Sequence, residues 1–135
     1  MESLAAEYYN EELADWNGIN QYSIDEILEF EQRLTDIIRR DSIPSVAGPA
    51  EHFLQQFEVL QQRFLALQHD VEIQENKLVR DHLPVENKSI TDQIILNQTL
   101  LRKKMFQAEK EFLDAKYSCY EFLSGLLHLQ HGEGH

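Results

Sequence analysis

From Phe53 to Leu129 the apolar residues recur at steps of four and three, and the pattern breaks only once, around Pro84. Such a repeat is a heptad seam, and it constrains the chain to long helices lying against other helices. Before the break the seam runs Phe53, Phe57, Leu60, Phe64, Leu67, Val71 and Leu78, with Gln74 in its one polar slot. After the break it runs Ile94, Gln98, Leu101, Met105, Ala108, Phe112, Ala115, Cys119, Phe122, Leu126 and Leu129. The first stretch predicts a helix over 49–82, with Pro49 in a first turn where its missing donor is harmless. The second predicts a helix over 89–130, opened by Ser89 and Asp92 as a weak capping pair. At about 1.5 Å per residue the two would be roughly 50 and 60 Å long, and each needs a partner along most of its span.

The connection 83–88 is short enough to force the two helices antiparallel. Sliding one seam against the other gives a register that matches volumes. Leu78 faces Ile94, Val71 faces Leu101, Leu67 faces Met105 and Phe64 faces Ala108. Leu60 faces Phe112, Phe57 faces Ala115, Phe53 faces Cys119 and Ala50 faces Phe122. Large side chains set against small ones keep the helix spacing even and leave few voids. Gln74 falls opposite Gln98, a polar layer that can fix register because any slip would bury unpaired amides.

Upstream, Ser23 and Glu26 have capping-box spacing and open a shorter helix over 23–40. Its stripe is Ile27, Phe30, Leu34 and Ile37, and Arg39 and Arg40 suit its negative C-terminal end. The second long helix carries an extra apolar row, Phe106, Leu113, Tyr120 and Leu127, which gives the third helix a seat at the base. Toward the loop the flanks turn polar (Gln61, Gln68, Glu75, Asn97, Arg102, Lys104), so two helices alone are expected there. Asn17-Gly18 reads as a helix stop, which leaves 1–22 as an acidic N-terminal segment with weak helical character over 1–16. The expectation is a single all-α domain over 1–135. It is a long antiparallel coiled-coil hairpin of two long helices, with a shorter N-terminal helix packing on its base to form a three-helix bundle.

Charge narrows the function classes. The chain has 12 Lys and Arg against 24 Asp and Glu, a formal charge of −12. Residues 1–36 hold ten of those acids against Arg33 alone. This balance argues against nucleic acid or an anionic membrane as partner, since both reward clustered bases. No apolar run reaches membrane-spanning length, and the acidic start has no secretory character, so a cytoplasmic protein is expected. Cys119 is the only cysteine, which excludes an intramolecular disulfide, and its seam position suits a small core residue.

Catalytic signatures are missing from the sequence. No histidine has a glutamate three residues before it, as an inward-facing di-iron site would need, and neither His-Glu-x-x-His nor a Gly-rich phosphate loop occurs. A non-enzyme without a cofactor is therefore expected. His128, His131 and His135, with Glu133 nearby, form the one candidate metal cluster, because His128 and His131 lie one helical turn apart. Leu4, Tyr8, Leu13 and Trp16 form a sparse amphipathic set that could order on a partner, with Trp16 as anchor. Leu65, Ile73, Val79, Ile95, Leu96 and Leu100 lie off the seam and suit pairing of two copies. Trp16-Asn17-Gly18 resembles the Trp-x-Gly turn of small helical-hairpin proteins exported by type VII-like systems, and Tyr117 to Glu121 resembles their tail signal. Those proteins place the turn between their two long helices. Here that joint falls at 83–88, and the tail pattern recurs at Tyr8 and Tyr22, so no family is assigned. The function expected is protein–protein interaction or assembly, including a homodimer. The alternatives are a small acidic chaperone or adaptor and a metal-binding bundle using the histidine tail.

Overall fold

The computed structural model describes residues 4–40 and 44–133, with side chains at 5–40 and 44–126. It is an all-α three-helix bundle in the order α1 (Leu4–Arg40), α2 (Pro44–Leu78) and α3 (Asp92–Glu133), with α1 packed on α2 and α2 on α3. A two-residue β-hairpin, β1 (Val79–Arg80) with β2 (Leu83–Pro84), joins α2 to α3.

The α2–α3 hairpin has the Gln74–Gln98 layer of the register read from the two seams. Phe57, Leu60, Phe64, Leu67, Val71, Gln74 and Leu78 are buried against Ile94, Gln98, Leu101, Met105, Ala108, Phe112, Ala115 and Cys119. The Gln74 amide donates to Gln98 Oε1 at 3.1 Å and to the Ile94 carbonyl at 2.9 Å, which fixes the polar layer where the seams cross. Rings pack around Phe112, with Phe64 edge-on at 5.8 Å and Phe57 edge-on at 6.4 Å.

The hairpin helices differ from expectation at their ends. Helix α2 begins at Pro44 rather than 49, so Pro49 lies inside it. It stops at Leu78 rather than 82, because Asp81 and His82 take positive φ values of 54° and 66°. Two consecutive left-handed residues make the tight turn whose twist suits a two-residue hairpin. Helix α3 begins at Asp92 rather than 89, and its cap is Thr91, whose Oγ1 accepts from the Ile94 amide at 3.2 Å.

The larger correction concerns the N-terminus. Helix α1 is continuous through Asn17-Gly18 and runs the length of the hairpin, so the loop end is also three helices thick. A glycine in a helix interior costs about 1 kcal/mol relative to alanine. Fully burying one leucine returns ~1.5–3 kcal/mol, and Trp16 adds a larger area. Ala6, Leu13, Trp16, Asn20, Ser23, Ile27, Phe30 and Leu34 are all buried on α1, so core packing outweighs the local stop signal. The segment is not at the base beside Tyr120. It lies at the opposite end, where the Asn10 amide donates to the Leu78 carbonyl at 3.2 Å and Asn17 bonds Glu75.

Candidate functional site

Helices α1 and α3 run parallel, each antiparallel to α2, and they meet largely through long side chains. Two cross-helix ion pairs hold them in line. Near the loop end, Arg102 grips Glu12 with both guanidinium Nε and Nη2, at 2.7 Å each. Toward the base, Lys116 Nζ reaches both Glu26 oxygens at 2.8 and 2.9 Å. The pairs are two heptads apart on both helices, so α1 and α3 share one register over about 21 Å.

Burial pushes the Glu12 carboxyl upward, but hydrogen bonds from Arg102 and Gln98 and the Arg102 charge together hold it below the ordinary range. The Lys116 ammonium is raised chiefly by its bond to Glu26. It also lies 5.9 Å from the Phe112 ring and 6.0 Å from that of Tyr120. These charges are engaged with one another rather than free for chemistry.

Between the two pairs lies an open cleft of about 600 Å³. Ala14, Gly18, Ile19 and Tyr22 form its α1 side, and Glu109, Phe112, Leu113 and Lys116 its α3 side. Gly18 and Ala14 keep the α1 wall low. Tyr22 is 61% exposed and Leu113 45%, and Phe106, one heptad before Leu113, is 68% exposed. Asp15 and Glu109 also line the region, and neither forms an ion pair among the described residues. Partial burial raises the Glu109 carboxyl above its usual range. The comparable hollow on the far side, between α2 and α3, is walled by His52, Gln55, Gln56, Glu111, Asp114 and Ser118, with Val59 as its exposed apolar side chain.

The sequence-derived partner set is split by the fold. Leu13 and Trp16 are core residues, so they offer no surface in this conformation, while Tyr8 is exposed near the Arg102 end. The Leu4 side chain lies outside the described residues. So do the side chains of His128 and His131, and all of His135. Among the described residues no three His, Cys, Asp or Glu converge as metal ligands. Leu65, Ile73, Val79, Ile95, Leu96 and Leu100 are exposed as expected, and Ile73 and Leu100 share a groove between α2 and α3. Cys119 is a buried free thiol, pushed up to about 11 by desolvation.

Sequence reasoning missed the cleft, although its signal was present. The row Phe106, Leu113, Tyr120 was assigned as a seat for the third helix, yet α1 covers only part of it, through Phe30 against Tyr120 at 5.1 Å. Among the described residues no helix is long and apolar enough to cross a membrane. Compared with family models, with curated proteins and with solved structures, the chain matches none.

Proposed function

We propose that this protein is a non-enzymatic helical interaction module that acts in assembly, with the α1–α3 cleft as its docking surface. The observation that carries this is that Tyr22 and Leu113 line the cleft and stay exposed after three long helices have packed, with Phe106 exposed one heptad before Leu113. Isolated surface apolar residues need no explanation, but an exposed aromatic and an exposed aliphatic side chain lining one cleft beside a low wall are a usual form of a recognition site. A small acidic adaptor or chaperone that shelters one helix of a client is the form of this reading favoured by the charge of −12.

Self-association is a second activity of the module, and Ile73 with Leu100 on the α2–α3 side supports it. Two copies pairing there would leave the α1–α3 cleft open. The buried free thiol of Cys119 suits the reducing cytoplasm, where we place the protein.

Native mass spectrometry of the full chain purified from its own cells, with and without chelator, tests these readings together. The expected result is a co-purifying polypeptide lost in Leu113→Asp, or a dimer lost in Ile73→Asp. A bare monomer at tens of micromolar, unchanged by either substitution, would remove the interaction reading. A mass increment that only chelator strips would assign the function to the histidine tail instead.

A further inference from the structure

The cleft has properties that select among occupants. The Glu26–Lys116 pair lines one end of it, the Glu12–Arg102 pair lies beyond the other, and the stretch between the two pairs corresponds to about four helical turns. Every base at the floor is already neutralised by α1, whereas Asp15 and Glu109 are not matched by any cation among the described residues. Glu109, half-buried without a counter-charge, is costly to the free protein, and a cation brought by a partner would offset that cost. Asp15 is exposed and adds negative charge at the rim. A second copy of this chain is a poor occupant, because each copy carries −12 and the excess is concentrated in α1, which forms one wall.

We propose that the α1–α3 cleft takes one amphipathic helix of about four turns, apolar toward Tyr22 and Leu113 and carrying Lys or Arg toward Asp15 and Glu109. This rests on the docking reading above and adds the chemistry of the partner. The apolar strip supplies affinity through burial, and the two carboxylates supply discrimination against acidic helices.

The test uses the full chain and two fluorescein-labelled synthetic 18-residue helical peptides, followed by anisotropy. Both peptides share one leucine and alanine face; the remaining positions are Lys in one and Glu in the other. The Lys peptide is expected to bind at least tenfold more tightly than the Glu peptide. Asp15→Asn with Glu109→Gln should weaken the Lys peptide about tenfold. The same charge change at exposed Glu11 and Glu72 should alter it less than twofold, which separates the cleft from the general negative field. Leu113→Asp, at an exposed position that the fold does not need, should abolish binding. Equal affinity for both peptides, still lost in Leu113→Asp, would overturn the basic partner while leaving the docking surface intact. Binding indifferent to Leu113→Asp would overturn the docking surface itself. Failure of both peptides to bind, or a dimer of the free chain that Leu113→Asp dissolves, would also overturn the proposal.

Discussion

Away from the β1–β2 turn, Phe30 stacks on Phe57 at 5.0 Å, Phe53 tilts against Phe122 at 5.5 Å, and Phe64 meets Phe112 edge-on. Toward that turn the same three helices meet through Gln74, Gln98, Glu12 and Arg102, each bonded to the next. The aromatic half is held by volume, and volume is forgiving of small shifts. The amide and carboxylate half is held by geometry, since a buried donor displaced by one turn has nothing to bond. The Gln98 amide makes this explicit, because it donates to both the Tyr9 carbonyl and Glu12 on α1 while its oxygen accepts from Gln74 on α2. One side chain thus checks the alignment of all three helices. The arrangement divides labour between the ends: stability resides largely in one and uniqueness largely in the other.

Deleting residues 1–22 is expected to have the largest effect. It removes Leu13, Trp16 and Asn20 from the core and uncovers the loop half of the hairpin. Thermal unfolding followed by circular dichroism should lose its single cooperative transition. A melting temperature within a few degrees of the parent would show that the hairpin's loop half stands alone. In the aromatic half, Phe57→Ala should cost about 3–5 kcal/mol in urea denaturation, because Phe57 is fully buried between Phe30 and Phe112.

Ala108→Phe opposes a ring to Phe64 and should cost about 1–3 kcal/mol through overpacking, while the same change at exposed Lys103 costs far less. Equal losses at the two sites would contradict the register. In the polar half, Gln98→Ala should cost about 1–3 kcal/mol by removing one of the two acceptors of the Gln74 amide and the bonds to Tyr9 and Glu12. Gln74→Leu combined with Gln98→Leu should come close to parent stability while broadening the amide NMR spectrum, because apolar pairs pack without specifying alignment. Retention of sharp, single resonances in that double variant would deny the layer its role in uniqueness.

The smallest effect is one of pH. The Glu12 carboxyl is held below its ordinary value of 4.5, so its contribution is complete above that value and fades as acid protonates the folded state. The stability gap between parent and Glu12→Gln should therefore close as pH falls below about 4.5. A gap that stays constant down to pH 3 would mean that the ion pair contributes nothing, as is common for exposed pairs.

These contrasts also explain what could be read in advance. The hairpin was legible because both seams are apolar but for Gln74 and Gln98, uninterrupted by proline, and matched in volume, as Phe64 against Ala108 illustrates. Helix α1 was not, because its own seam carries polar residues at the critical point. Ala6, Tyr9, Leu13, Trp16, Asn20, Ser23, Ile27, Phe30, Leu34 and Ile37 step by three and four without a break, but Asn20 and Ser23 sit where apolar residues were sought. Asn20 is wholly buried with neither amide atom hydrogen-bonded among the described residues, so the pattern contains a real cost that sequence reading took for a boundary. The acidity of α1 is partly answered from across the bundle. Arg102 and Lys116 on α3 answer Glu12 and Glu26, a pairing that depends on the parallel alignment of two helices distant in sequence. The cleft followed from the same error, since its α1 wall was not expected to be a helix.

The turn at Asp81 and His82 has a consequence for how the chain reaches this state. It closes the α2–α3 pair where the partners are nearest in sequence, and Gln74 finds Gln98 across only 24 residues. The α1–α2 pair closes at the opposite end of α2, beside the short link after Arg40. Its last contacts, Asn17 with Glu75 and Asn10 with Leu78, span 58 and 68 residues. Helix α2 is thus zipped from both ends, by two fronts that travel in opposite directions. The front from the base arrives last at the amide and carboxylate layer. Alignment is therefore tested at the final step of assembly, when an early slip can still be undone.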